Sequence, residues 1–137
     1  MAFICDRPIY FRDTDAAGVL YFANLLAICH EVYEASLVAS GIDLKVFFRN
    51  PDQAVPITHA EVDFYRPVTC GDCLRIVLSP SRVSDSEFAI HYAAHLGNPT
   101  SNPVGKALTR HVCIHPVTRR RQPLSPDLGA WLQQWVD

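Results

Sequence analysis

The chain has 137 residues, of which 49% are hydrophobic and 19% are charged, and its formal net charge is −2. This balance gives no general reason to bind nucleic acid or an anionic membrane, and no apolar run approaches the roughly 20 residues of a membrane span. The first residues lack a basic segment followed by an apolar one, so the five cysteines predict reduced thiols in a cytoplasmic protein.

Residue patterns predict the first elements of the chain. Alternating apolar residues predict a strand at 3–12, in which Pro8 favours an edge position or a bulge. Apolar residues at three- and four-residue steps then predict a long helix at 22–40, closed by Gly41 in a left-handed cap. The predicted buried stripe of this helix consists of Phe22, Leu25, Leu26, Cys29, Val32, Tyr33, Ser36 and Leu37.

The remainder of the chain is predicted to be mostly strand. The patterns predict a helical turn at 42–49, strands at 54–68, 73–83, 87–96 and 104–115, and a final short helix at 127–136. Residues 84–86 predict a hairpin turn, and the Asn, Pro and Ser residues of 97–103 predict a loop.

These elements predict an α+β fold. Hairpin-length connections imply antiparallel pairing, and one long helix can cover only one face of a sheet. We therefore expect an antiparallel sheet of about five strands curled around the helix, in a single domain spanning 1–137. Such a sheet leaves an open edge and an uncovered face, so self-association is expected.

The segment between the first strand and the long helix carries the chemistry. Its sequence, YFRDTDAAGVLYFAN at 10–24, places Asp15 and Gly18 in a loop just before the helix. A helix N-terminus presents unpaired N–H groups and about half a positive charge. A carboxylate beside it suits acyl transfer, in which an oxygen becomes negative next to a nucleophile or base. The alternative is that Asp15 only caps the helix or forms a loop turn.

Two motifs carry a family resemblance. The sequence DTDAAGVLYF at 13–22, with Asn24 and HEVYEA at 30–35, resembles the signature of hotdog-fold acyl-CoA thioesterases of the 4-hydroxybenzoyl-CoA thioesterase family. VDFYRPV at 62–68 and the following Gly-Asp pair resemble its second strand and turn. The likeness extends more loosely over nearly the whole chain. Length and the residues around Tyr21 and Phe22 are most similar to the cyanobacterial subfamily that acts on 1,4-dihydroxy-2-naphthoyl-CoA.

The resemblance implies roles for the loop residues. Asp15 falls on the family's catalytic aspartate, either as a nucleophile that forms a mixed anhydride or as a general base towards water. Gly18 would provide an unusual backbone angle or close approach of the thioester, and the N–H groups of Tyr21 and Phe22 would be oxyanion donors. Some bacterial members carry a histidine in place of Phe22. Imidazole assistance there is therefore excluded, and the ring is expected to line an acyl pocket. Asp13 is expected to be a structural turn residue.

Three further polar residues are candidates for the pocket. Glu31 lies on the long helix, and other hotdog thioesterases use a helix glutamate as the catalytic acid. The alternative for Glu31 is an exposed or interface charge. Thr58 and His59 lie on a strand that could line the acyl pocket, and a structural histidine is an equal alternative for His59.

Neither group of cysteines and histidines predicts a metal site. Cys70 and Cys73 have C-x-x-C spacing, but structural zinc needs four ligands and no second closely spaced pair exists. A tight turn explains this pair more simply. His111, Cys113 and His115 alternate along one strand, where the two histidines would be far apart for one ion. We expect no metal and no redox cofactor.

The densest positive cluster consists of Arg119, Arg120 and Arg121, after the last predicted strand. It could be a nucleic-acid patch, a solvated tail or a grip on CoA phosphates. The acidic balance weakens the first reading, and guanidinium chemistry favours the third. Arg82, near a hairpin end, is the next candidate. The basic run that the best-known family member carries at that hairpin is replaced here by DSE at 85–87.

The expected function is hydrolysis of an aromatic acyl-CoA, with 1,4-dihydroxy-2-naphthoyl-CoA, on the route to a naphthoquinone, as the first choice. The expected assembly is a homotetramer built from dimers. One alternative is another aromatic or short-chain acyl-CoA as substrate. The rival from a different class is a non-catalytic acyl-group binding or interaction protein, because fold does not fix function.

Overall fold

The computed structural model describes residues 1–98 and 102–136. Within them the strands are β1 (Phe3–Pro8), β2 (Ile57–Phe64), β3 (Cys73–Ser84), β4 (Glu87–Leu96) and β5 (Gly105–Val112). The helices are α1 (Phe22–Ala39), α2 (Leu44–Phe47) and α3 (Pro126–Trp135), and a 3-10 turn spans Phe11–Asp13. The strands form one antiparallel sheet in the order β1-β3-β4-β5-β2. The predicted α+β class, with one sheet and one long helix, is confirmed.

Helix α1 lies against one face of the sheet. Its Leu25 and Val32 side chains are buried, and the helix ends before Gly41, whose φ of +85° confirms the predicted left-handed cap. At Gly105 an added Cβ would lie 3.1 Å from the Asp63 carbonyl and 3.2 Å from a methyl group of Leu25. Glycine at this position therefore lets the first turns of α1 approach the start of β5 closely.

The predicted buried stripe of α1 is wrong at its first member. Phe22 is 59% exposed, because it begins the helix at the surface. Ile28, which the prediction omitted, is 1% exposed and completes the buried face, while Leu26 is only half-buried.

The core lies between α1 and the inner face of the sheet. Helix α3 seals one end of it: the Trp131 indole N–H donates to Ser36 Oγ at 2.9 Å, which ties α3 to the second half of α1. Ser125 caps the N-terminus of α3 by accepting from the Leu128 N–H. The fully buried core residues of β3 and β4 are Leu74, Ile76, Leu78, Phe88 and Ile90.

Strands β1, β2 and β5 are shorter than predicted, and β5 spans Gly105–Val112 instead of 104–115. Strand β1 ends at Pro8, which has no N–H for the ladder, and the 3-10 turn follows; β1 is an edge strand, as Pro8 indicated. Strand β2 spans Ile57–Phe64 instead of 54–68, and Ala54 forms only an isolated bridge to Ile114, beyond the end of β5. The predicted loop at 97–103 lies partly outside the described residues.

The far edge and the outer face of the sheet are open to solvent. All residues of the edge strand β2 are exposed except Val62, which is half-buried. On the face opposite α1, the side chains of Glu61, His91 and Lys106 are exposed. Among the described helices, none is long and apolar enough to cross a membrane.

Candidate active site

The loop before α1 holds Asp15 in a tight turn. Asp15 Oδ1 accepts hydrogen bonds from the N–H groups of Ala17 at 2.9 Å and Val19 at 3.4 Å, and the Asp15 N–H donates to the Val19 carbonyl at 2.9 Å. Gly18 has a φ of +80°, and an added Cβ would meet nothing within 4 Å, so this glycine serves the backbone angle. No described residue donates to Asp15 Oδ2, so one carboxylate oxygen remains available for chemistry.

Asp13 anchors this loop. Its buried carboxylate accepts from Arg7 at 2.6 Å and from the Tyr10 N–H at 2.8 Å, and Arg7 holds the pKa of Asp13 below its usual range. The Asp13 carbonyl accepts from the Tyr21 N–H and from Asn24 Nδ2, both at 2.9 Å. The side chain and the backbone of Asp13 therefore fasten the loop to β1 and to the start of α1, as expected of a structural residue.

The start of α1 offers two backbone donors. The N–H groups of Phe22 and Ala23 have no hydrogen-bond partner among the described residues, because the first N–H groups of a helix have no carbonyl one turn back. The Tyr21 N–H is not free, since it donates to the Asp13 carbonyl. Of the expected pair Tyr21 and Phe22, only Phe22 therefore has an N–H without a described partner, and the neighbouring Ala23 N–H is the second such group at the helix start.

A cavity of about 390 Å³ adjoins the loop and the helix start. Asp15 lines it together with four aromatic residues, of which Tyr21 and Phe22 have ring centroids 4.8 Å apart. The other two aromatic residues are Phe64, which ends β2, and Tyr65, which follows it. The complete lining is Asp15, Val19, Leu20, Tyr21, Phe22, Phe64, Tyr65, Arg66, Pro67 and Val68. The Asp15 carboxylate, the first residue of α1 and four aromatic side chains therefore meet at one cavity.

Glu31 lies outside this cavity within one chain. It follows Phe22 by nine positions, which corresponds to about 13.5 Å along the helix. Its carboxylate pairs with Arg7, with Arg7 Nε 3.0 Å from Glu31 Oε1, while the same guanidinium binds Asp13. The half-exposed Glu31 side chain is therefore part of an ion-pair network that links α1 to β1 and the loop.

Thr58 and His59 also lie outside the cavity. Both are exposed on β2, and His59 Nε2 is 3.3 Å from Glu61 Oε1. The cavity is lined by Phe64, which is five residues beyond His59 and so about 16 Å away along the strand.

The predicted CoA-binding arginines lie at the opposite end of the sheet. Phe64 of the cavity pairs with Gly105, whereas Arg119, Arg120 and Arg121 follow the other end of β5. The two ends of β5 are about 23 Å apart at roughly 3.3 Å per residue. Arg82 is at that distant end too, because it pairs with Phe88, and Phe88 pairs with His111.

No described group of three or more side chains is arranged to hold a metal ion, and all five cysteines are free thiols in the described ranges. His111 is instead a core residue. Its Nε2 is 2.8 Å from Thr109 Oγ1, and its ring stacks on Phe88 with a centroid distance of 4.7 Å. Burial, with a smaller effect of nearby His30, lowers the pKa of His111 to about 4.

Sequence reasoning missed a second cavity of about 540 Å³, lined by Tyr65, Arg66, Asn102, Pro103 and Lys106. It shares Tyr65 and Arg66 with the cavity that contains Asp15. Arg66 lies in the recognised motif at 62–68, but Lys106 is 40 positions later in the sequence. The pairing of β2 with β5 brings them together, and no local sequence pattern indicates it.

Comparison with known proteins identifies the family. The family model of the thioesterase-like superfamily matches residues 9–132. The chain belongs to this superfamily. Its fold is the hotdog fold, with the five-stranded antiparallel sheet around α1.

Relatives within the thioesterase-like superfamily resemble the chain over nearly its full length. A 1,4-dihydroxy-2-naphthoyl-CoA hydrolase from Rippkaea orientalis is 56% identical over 127 residues, which cover 93% of this chain and 92% of that protein. A protein of the same name from Trichodesmium erythraeum is 53% identical and covers 96% of both chains. The crystal structure of Slr0204, a 1,4-dihydroxy-2-naphthoyl-CoA thioesterase from Synechocystis, aligns with a TM-score of 0.91 at 33% identity, covering 97% of this chain and 96% of that chain.

Proposed function

We propose that this protein hydrolyses 1,4-dihydroxy-2-naphthoyl-CoA to 1,4-dihydroxy-2-naphthoate and CoA, a step of phylloquinone biosynthesis. The observation that carries the proposal is the cavity that Asp15 shares with Phe22, the first residue of α1, and with three further aromatic side chains. Aromatic walls suit a flat bicyclic acyl group, because stacked and edge-on ring contacts add to the burial of apolar surface. The names of the similar cyanobacterial proteins support this acyl group.

The chemistry follows from the free oxygen of Asp15 and the free donors of the helix. In the general-base route, Asp15 Oδ2 takes a proton from water, and the oxygen of that water attacks the thioester carbon. The Phe22 and Ala23 N–H groups stabilise the negative charge that develops on the thioester oxygen. The carbon–sulfur bond then breaks, and the CoA thiolate takes up the proton held by Asp15.

In the nucleophilic route, Asp15 Oδ2 itself attacks the thioester carbon and the CoA thiolate leaves. The product is a mixed anhydride between Asp15 and the acyl group. Water then hydrolyses this anhydride, which releases the acid and regenerates the carboxylate. Both routes use the same oxygen and the same donors, so the geometry accommodates either.

The other candidate residues divide into those at the Asp15 cavity and those away from it. Gly18 sets the loop conformation that presents Asp15, and the rings of Tyr21 and Phe22 contact the acyl group. Because Glu31, Thr58 and His59 lie away from the cavity in their own chain, they can contact a thioester only at the site of a neighbouring subunit. Arg82 and the arginine cluster at 119–121 lie at the far end of β5, about 23 Å from the cavity.

The proposal includes a cytoplasmic homo-oligomer, with a dimer of dimers as its form. The exposed edge strand β2 supports self-association, since its backbone groups are open to pairing with a second copy. No metal or redox cofactor enters the proposed reaction.

The test is thiol release from a panel of acyl-CoA esters. We expect the highest kcat/KM with 1,4-dihydroxy-2-naphthoyl-CoA, a lower value with benzoyl-CoA and the lowest with short aliphatic esters. Phe22→Ala should reduce the preference for aromatic over aliphatic esters. Phe48→Ala, which removes an exposed aromatic residue outside the cavity, serves as the control.

Faster hydrolysis of aliphatic than of aromatic esters would contradict the proposed acyl group. If no ester is hydrolysed but aromatic acyl-CoA still raises the melting temperature, the protein is a non-catalytic acyl-group binding protein, and the proposal fails.

A further inference from the structure

The second cavity, next to the candidate active site, is positively charged. Its charged lining residues are Arg66 and Lys106, and none of the described residues that line it is acidic. Arg66 Nη2 donates to the Asn102 carbonyl at 2.9 Å, which holds the guanidinium in place, and its other N–H groups bind no described residue. Asp63 is the ladder partner of Lys106, but no ion pair joins them, and none joins Arg66 to any described acid. Both cations are therefore available to a ligand.

The position of this cavity relates it to the thioester. Tyr65 and Arg66 belong to the lining of both cavities, so one wall separates Asp15 from the charged space. A ligand whose reactive carbonyl lies at Asp15 can therefore extend across Tyr65 towards Arg66 and Lys106. CoA esters have this form, with a flexible pantetheine arm between the thioester and the phosphates.

We propose that Arg66 and Lys106 bind the phosphate groups of the CoA moiety within the same chain whose Asp15 acts on the thioester. This inference rests on the proposed function and deepens it. A planar guanidinium can donate two parallel hydrogen bonds to a phosphate, and an ammonium group adds a compact second charge. The arginine cluster at 119–121 lies about 23 Å from the Asp15 cavity, the length of β5, whereas Arg66 lines that cavity itself. For CoA bound at the same Asp15, Arg66 and Lys106 are therefore the nearer cations.

The test compares two substrates that share the acyl group: the CoA ester and the N-acetylcysteamine ester, which has no phosphate. The measured quantity is the ratio of KM for the CoA ester to KM for the short ester. We expect Arg66→Ala to raise this ratio about tenfold and Lys106→Ala to raise it by a smaller factor, since each removes a charge-assisted phosphate contact. Arg66→Lys should restore part of the effect, because the charge returns without the planar fork.

Two variants serve as controls. Arg110→Ala removes an exposed cation from the same strand as Lys106 but outside both cavities, so it controls for net charge. The triple replacement of Arg119, Arg120 and Arg121 by Ala tests the competing site. Neither control should change the KM ratio, and melting curves of all variants confirm that they are folded.

The inhibition constant of free CoA, a competitive inhibitor of short-ester hydrolysis, is an independent measure of phosphate binding. This constant should rise about tenfold in Arg66→Ala. A KM ratio within twofold of wild type in both Arg66→Ala and Lys106→Ala, or a larger change in the triple arginine variant, would overturn the inference. Hydrolysis of the short ester by the wild type tests the proposed function separately, so the two proposals fail in distinguishable ways.

Discussion

Asp13 and Asp15 are two residues apart and have opposite environments. The Asp13 carboxylate is buried and saturated by Arg7 and a backbone N–H, whereas Asp15 is exposed and keeps Oδ2 without a donor from any described residue. An acid that is held by a guanidinium is a poor base, because its charged form is already stabilised. The local hydrogen bonds thus assign anchoring to Asp13, and they leave Asp15 with the free carboxylate oxygen that the proposed reaction needs.

If Asp13 anchors the loop, its replacement should lower the free energy of unfolding more than replacement of Glu31 does. Asp13→Ala leaves Arg7 with only its half-exposed partner and removes the acceptor of the Tyr10 N–H, so the free energy of unfolding should fall by roughly 3 kcal/mol. Glu31→Gln breaks an exposed pair and should cost less than about 1 kcal/mol. Denaturant unfolding measures both changes. A hundredfold loss of kcat in Glu31→Gln with unchanged stability would instead show that Glu31 acts in catalysis across a subunit boundary.

Strand and helix prediction succeeded where one face of an element is buried. The bounds of α1 and β4 were predicted closely, because their apolar positions repeat with the period of the element and face the core. Strand β2 was predicted too long. It is an edge strand with both faces largely exposed, so its alternation is not tied to burial. The exposed Phe22 was assigned to the core for a related reason: its spacing fits the stripe, but it lies at the cavity wall.

The inner face of β5 predicts a pH dependence of stability. Because burial lowers the pKa of His111 to about 4, the folded state resists a proton that the unfolded chain accepts near pH 6.5. Stability from this residue is therefore complete above about pH 6.5 and falls as the pH drops towards 4, by roughly 3 kcal/mol in total. The slope of unfolding free energy against pH in this window should flatten in His111→Gln.

The titration of the His111 imidazole can also be measured by NMR in the wild-type protein, which avoids any folding defect of the variant. A His111 ring that titrates near pH 6.5 in the folded protein would contradict the assignment.

At the level of the whole molecule, the site combines residues that are close in sequence with residues that are not. Asp15, Gly18 and the start of α1 were predictable, because one continuous motif contains them. The Arg7–Asp13–Glu31 network and the pair of Arg66 and Lys106 were not predicted, because strand pairing and the packing of α1 bring their members together. Conversely, the arginine cluster at 119–121 was attractive by charge alone, and the fold places it at the far end of β5.

The open edge of the sheet predicts the assembly. We expect light scattering at micromolar concentration to give the mass of a homotetramer, with dimers as the dissociation product. Pairing of β2 edges joins two chains, and the open outer face of the sheet leaves a second surface by which two dimers can associate. A monomer with full activity under the same conditions would contradict both the assembly and any contribution of residues from a neighbouring subunit.

The most direct test of the central claim is the kcat of Asp15→Asn with 1,4-dihydroxy-2-naphthoyl-CoA. Asparagine keeps the size of the side chain and an acceptor for the Ala17 N–H, so the variant should melt at the wild-type temperature. Asp85→Asn makes the same chemical change at the distant hairpin and should keep the wild-type kcat. Loss of the reactive carboxylate should lower kcat by about a hundredfold or more in Asp15→Asn. A folded Asp15→Asn variant with kcat within a few-fold of wild type would contradict the assignment of Asp15 and, with it, the proposed mechanism.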